Sequence, residues 1–226
     1  MRNQWTKEIG WKNLSDVSFV IIGCGGIGSN IVEILSRKRN LSLALIDHDT
    51  VEISNLNRSS FLIKDIYSHK VDALKRKIDN SNTDQCDIVT ISEKLNKSTI
   101  EPICKLLRET ICFEKICVFD CRDKDFKDHD MIKSHLPESC IIRAAYNGHS
   151  LTLTSNWMEY PIWGRNGYTT SDSSAITSKL VAVLALIFAD LTISDPNRYN
   201  EIYTFDTYND IIPLLFDNIK NKGEKI

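Results

Sequence analysis

Residues 17–30, VSFVIIGCGGIGSN, and residues 41–58, LSLALIDHDTVEISNLNR, decide the fold. Residues 17–22 form a short apolar run without helical period, the kind buried on both faces of a parallel sheet, and they predict a strand. The run enters Gly23, Gly25, Gly26 and Gly28, whose missing Cβ atoms permit a tight turn and let backbone N–H groups approach phosphate where the next helix starts. In that helix Ile27, Ile31, Ile34 and Leu35 recur at helical spacing and face the sheet, with Arg37, Lys38 and Arg39 near its C-terminal end, where cations suit the dipole. Residues 41–46 give a second apolar strand, and Asp47 at its carboxyl end is placed to accept hydrogen bonds from a ribose hydroxyl.

A glycine loop followed by an acid serves nicotinamide, flavin and adenosine nucleotides alike. The residues that follow narrow the choice, because Asp49, Glu52, Ser54, Asn55 and Arg58 place polar groups beyond the ribose position. Arg58 brings a planar, permanently charged fork of donors suited to phosphate oxygens and to the charge that develops as pyrophosphate leaves. That pattern points to ATP.

The strings GCGGIGS and DHDTVEISNLNR resemble the ubiquitin-activating (E1) superfamily in its prokaryotic form, the ThiF, MoeB and HesA adenylyltransferases. The resemblance runs from the first strand to the long apolar helix near residue 190. It implies an α/β, Rossmann-like, doubly wound and mostly parallel sheet continued by antiparallel strands in a single domain. It also implies ATP·Mg-dependent adenylation of the C-terminal glycine carboxylate of a small ubiquitin-like or sulfur-carrier protein. By the same resemblance Asp47 holds the ribose and Arg58 and Lys70 contact phosphates, within a nucleotide site that includes Gly23, Gly25, Gly26, Gly28, Asp49 and Asn55. Residues 120–123, DCRD, are similar to the family's DCTDN, whose second aspartate, Asp123 here, coordinates magnesium. One carboxylate suffices for that ion, since phosphates and water complete its shell. The chain departs from the family at residues 124–129, leaving Arg122 and Lys124 either as phosphate-facing cations or as exposed loop charges.

Length and composition suit this reading. The 226 residues fit one α/β domain, and the formal charge of −2 gives no overall positive field for nucleic acid or an anionic membrane. Seven scattered cysteines, an odd number without a CxxC pair, fit neither a secreted disulfide framework nor the structural zinc site of many relatives, so no zinc is expected. The polar N-terminus lacks a secretory layout, and the longest apolar run, residues 180–189, is about half of the ~20 needed to span a bilayer. A cytoplasmic protein is expected.

Along the chain, residues 1–16 carry an amphipathic spacing for an N-terminal helix, with Arg2 as a candidate for the phosphate-reaching arginine of a partner subunit. By the same resemblance, residues 17–146 are expected to form the nucleotide-binding half and residues 147–226 the partner-binding and dimerisation half. Helices are expected at 65–78 and 98–110, and strands at 85–95, 116–119, 139–146, 151–157 and 201–208. Lys70 has a blander reading as a solvated helix lysine, and Asn55 as a buried asparagine that satisfies loop backbone. Residues 159–174 read as a long loop with no cysteine where relatives carry a thioester-forming one. Cys24 reads as a packing residue, and Cys121 and Cys140 as core thiols of raised pKa, so adenylation is expected without a thioester on this chain. Residues 175–191 form a helix apolar almost all round, expected in the core or in a homodimer interface. The tail lacks a Gly-Gly end, which suits an activator and not an activated carrier. The competing readings are adenylation of a peptide or a modified tRNA base, an NAD-dependent oxidoreductase, and a non-catalytic E1-like partner subunit.

Overall fold

The computed structural model describes residues 13–81, 86–110, 115–122, 129–155, 175–199, 201–211 and 213. The expected N-terminal helix with Arg2, the candidates Asp123 and Lys124, the loop at 159–174 and the C-terminal tail lie outside the described residues.

Among the described residues seven strands form one sheet: β1 (Val17–Ile22), β2 (Ser42–Ile46), β3 (Asp87–Ile91), β4 (Lys115–Asp120), β5 (Ser139–Asn147), β6 (Ser150–Thr154) and β7 (Ile202–Asp206), in the order β3-β2-β1-β4-β5-β6-β7. The five strands from β3 to β5 are parallel, and β6 and β7 continue the sheet antiparallel. Strand order reverses between β1 and β4, and such a switch opens a crevice at the carboxyl ends of the strands.

The interleaved helices are α1 (Gly26–Leu35), α2 (Lys70–Ser81), α3 (Ile100–Thr110), α4 (His129–His135) and α5 (Ala175–Ser194). Alternation along a strand sends successive side chains to opposite faces. Phe19 and Ile21 therefore join the core beneath α1, α2 and α5, while Val20 and Ile22 join the core beneath α3 and α4. All six residues of β1 are buried, which is why the sequence shows an apolar run there broken only by Ser18, whose hydroxyl donates to Ser42 Oγ at 2.9 Å.

Several expectations need correction. The helix expected from residue 65 begins at Lys70, because Tyr67 takes a positive φ of 70° and its N–H donates to Val51 O at 2.9 Å, folding this segment back on the loop after β2. The α1 helix ends at Leu35, and Lys38 is buried beyond it. Its ammonium donates to the Ser15 and Arg39 carbonyls at 2.9 and 3.2 Å, and burial lowers its pKa. The sequence reading missed α4, whose Ile132 and following Leu136 are buried at helical spacing. The α5 helix is long and apolar enough to cross a membrane by length and composition, yet Val181, Ala182, Ala185 and Ala189 are fully buried in the core. Its outer face carries Ile176, Val183, Ile187 and Leu191 exposed in the single chain, so the core covers only one side of it.

Candidate active site

A pocket of about 510 Å³ opens at the carboxyl edge of the sheet. It is lined by Gly23, Gly25 and Gly26 of the glycine loop, by Asp47, Asp49, Asn55 and Arg58 after β2, and by Lys70 at the start of α2.

The glycines serve distinct ends. Gly23 has φ +87°, a conformation L side chains rarely adopt, and its N–H donates to Ile46 O at 2.9 Å, tying the loop to β2. A Cβ on Gly28 would stand 2.0 Å from Gly23 O, so only glycine lets α1 rest on the loop. A Cβ on Gly25 would meet nothing within 4 Å. The α1 N-terminus has neither a side-chain cap nor an acid in its first turn, so its backbone N–H groups and dipole face the pocket unopposed. This open cradle fits a phosphate chain.

Asp47 is buried, and two backbone donors orient its carboxylate: Cys24 N–H to Oδ2 at 2.6 Å and Asp49 N–H to Oδ1 at 2.9 Å. The second lone pair of each oxygen can accept a ribose hydroxyl. Lys70 is only 8% exposed, which overturns the reading of a solvated helix lysine. Its ammonium stands 2.8 Å from Asp49 Oδ2 and 4.0 Å from Asp47 Oδ2.

Arg58 is half-buried, and Nη1 donates to Ser54 O at 2.7 Å and Asn57 Oδ1 at 3.1 Å. Its Cγ would lie 3.3 Å from a Cβ on Gly26, so the stem runs over the start of α1. Asn55 is half-exposed and not buried; its Oδ1 accepts Glu52 N–H at 3.1 Å, closing the 3₁₀ turn Ile53–Asn55 that leads to Arg58.

Arg122 is not an exposed loop charge, because it lines the pocket with its side chain 20% exposed. Its Nε and Nη2 grip the fully buried Asp120 carboxylate at 3.0 and 2.9 Å, a two-pronged ion pair that fixes the turn after β4. Among the described residues one group of three potential ligands, Asp47, His48 and Asp49, gathers within 4.8 Å. Asp47 is held by backbone N–H groups and Asp49 by Lys70, so we assign it no metal.

Burial, then the Asp47 charge, pushes the Cys24 thiol well above its ordinary value, as suits a packing residue. Cys140 departs from expectation: a hydrogen bond from Cys117, its register partner on β4, pulls its pKa down, assisted by Lys133 and opposed by burial. The sequence reading also missed Tyr146, whose hydroxyl would be 3.0 Å from a Cβ on Gly26, and the segment at 93–96 that lines the pocket after β3. Their signal was position, since Tyr146 sits near the carboxyl end of β5 and the 93–96 segment follows β3, both at the ligand-binding edge.

The family model described as "ThiF family" matches residues 2–143. The chain belongs to the ThiF family. A rice protein, "Ubiquitin-like modifier-activating enzyme 5", is 34% identical over 91 residues, 40% of this chain and 21% of the relative. The "tRNA threonylcarbamoyladenosine dehydratase" of Bacillus subtilis is 27% identical over 124 residues, 51% of this chain and 48% of the relative. This ThiF-family chain thus spans at most about half the length of these curated relatives. Among solved structures, PaaA superposes with a TM-score of 0.66 at 18% identity, covering 90% of this chain and 64% of PaaA. Escherichia coli MccB with ATP superposes with a TM-score of 0.58 at 18% identity, covering 87% of this chain and 65% of MccB. These likenesses show a shared fold.

Proposed function

We propose that this ThiF-family chain is an ATP-dependent adenylyltransferase that activates the C-terminal glycine carboxylate of a small ubiquitin-like or sulfur-carrier protein, or of a peptide. The observation that carries the reading is convergence: the glycine cradle, Asp47, Arg58 and Lys70 come from three separate stretches and meet around one pocket. An NAD-dependent oxidoreductase needs the cradle and Asp47, and does not require Arg58 and Lys70 beyond the ribose position.

In the proposed reaction a carboxylate oxygen attacks the α-phosphorus of ATP. The new C(O)–O–P bond forms as the bond from the α-phosphorus to the bridging oxygen breaks, and pyrophosphate carries away the electron pair. A carboxylate needs no deprotonation, so this chain contributes positioning and charge. The α1 N-terminus, Arg58 and Lys70 hold the phosphates, and Asp47 holds the ribose. Magnesium bound with the nucleotide supplies further neutralisation; Asp123 is its proposed ligand on the DCRD string alone. The formal charge of −2 favours a protein or peptide tail over tRNA. The exposed apolar face of α5 suits a homodimer, and the free cysteines Cys24, Cys86, Cys104, Cys117, Cys121 and Cys140 suit the cytoplasm.

The test is isotopic exchange between pyrophosphate and ATP in the presence of candidate carboxylates. Exchange that requires a Gly-terminated protein or peptide supports the reading. No exchange with any such tail, together with adenylation of RNA, would contradict the substrate class.

A further inference from the structure

We infer that Ser178 and Asn30 are positioning residues for Arg58, so that α5, 120 residues away in sequence, is a structural part of the nucleotide site. This inference rests on the ATP reading above.

The guanidinium of Arg58 is tethered to Ser54 and Asn57, both in its own loop. Its attachment to the body of the domain passes through its backbone carbonyl, which accepts two hydrogen bonds from different helices. Asn30 Nδ2 on α1 donates at 2.9 Å, and Ser178 Oγ on α5 donates at 2.7 Å. Asn30 is 2% exposed and Ser178 fully buried, so both donors act in a medium where a hydrogen bond is strong and its loss costly.

Asn30 is also chemically informative. Its amide bridges the Gly26 carbonyl and the Arg58 carbonyl, joining the first turn of the phosphate cradle to the arginine. Its Oδ1 is buried without a hydrogen-bond partner among the described residues. A side chain with one end unsatisfied inside a core is worth retaining for what its other end holds. Asn30 and Ser178 thus fix one oxygen between α1 and α5, and the Arg58 side chain springs from that fixed point across Gly26. A phosphate-facing cation works only when held within a fraction of an ångström of its productive position.

The test is a double-mutant cycle read by calorimetric titration with ATP plus magnesium and, separately, with adenosine, on wild type, Ser178→Ala, Arg58→Ala and the double variant, each checked by thermal unfolding. We expect Ser178→Ala to weaken ATP binding about three- to tenfold and to leave adenosine binding unchanged. In the Arg58→Ala background the same change should add no further loss. Asn30→Ala, which removes the other donor and also frees the Gly26 carbonyl, should weaken ATP binding at least as much as Ser178→Ala. Wild-type affinity for ATP in Ser178→Ala, or a loss fully additive with Arg58→Ala, would overturn the inference while leaving the ATP site standing. Failure of the wild type to bind ATP would sink both.

Discussion

The Lys70 ammonium sits at the first residue of α2, 2.8 Å from Asp49 Oδ2. A cation there opposes the helix dipole. Asp49 and, at 4.0 Å, Asp47 offset that cost, and an incoming phosphate chain would meet the same charge. Lys70→Met keeps the buried stem and removes the charge. We predict a ten- to hundredfold loss of ATP affinity, the size of a lost charge-assisted hydrogen bond. Asp49 is 52% exposed, so solvent screens the pair and stability should change by no more than about 1 kcal/mol. Calorimetry and thermal unfolding separate the two effects, and an unchanged ATP affinity would remove Lys70 from the site.

The glycine loop gives a paired prediction. Gly28→Ala puts a methyl 2.0 Å from Gly23 O, and overpacking against backbone should cost about 3 kcal/mol or prevent folding. Gly25→Ala meets no atom of the described residues within 4 Å beyond its chain neighbours and should fold normally, yet lose ATP because the methyl fills the cradle. Unfolding midpoints should drop for Gly28→Ala and stay at the wild-type value for Gly25→Ala, while ATP titration of the folded Gly25→Ala should show the loss of binding.

Cys140 and Cys117 should differ in reactivity although they are register partners on adjacent strands. The hydrogen bond from Cys117 and the nearby Lys133 favour the Cys140 thiolate, while burial pushes Cys117 well up. Because the thiolate is the reactive form, iodoacetamide should label Cys140 at lower pH than Cys117. Mass spectrometry across a pH series reads this, and Lys133→Met should shift the Cys140 curve to higher pH. Equal labelling of the two thiols would contradict the assignment.

The apolar outer face of α5 predicts self-association. Ile187 is 51% exposed near the middle of that face, and Ile187→Glu should convert a dimer to a monomer in sedimentation experiments. A wild type that sediments as a monomer at micromolar concentration would show that another surface or partner covers this helix.

Much of this was legible in the sequence, because each signal was local. The β1 run, the glycines and Asp47 announce their roles by composition within thirty residues, and β2, β3, β4 and β5 follow from short apolar segments at regular spacing. What escaped was contact over distance. Nothing in the string around Ser178 points to the Arg58 carbonyl, and Tyr146 acquires meaning only when β5 lies beside the start of α1. The late start of α2 depends on a positive φ at Tyr67 and a backbone bond to Val51, neither of which helical periodicity reports. Arg122 could not be placed from sequence because its pairing with Asp120 depends on how the chain turns back at the end of β4.

The most direct test of the central claim is calorimetric titration of the purified chain with ATP plus magnesium and, separately, with NAD, repeated on Arg58→Ala. The account predicts that ATP binds, that NAD binds poorly or not at all, and that Arg58→Ala weakens ATP binding at least tenfold. Preference for NAD, with Arg58→Ala indistinguishable from wild type, would contradict it.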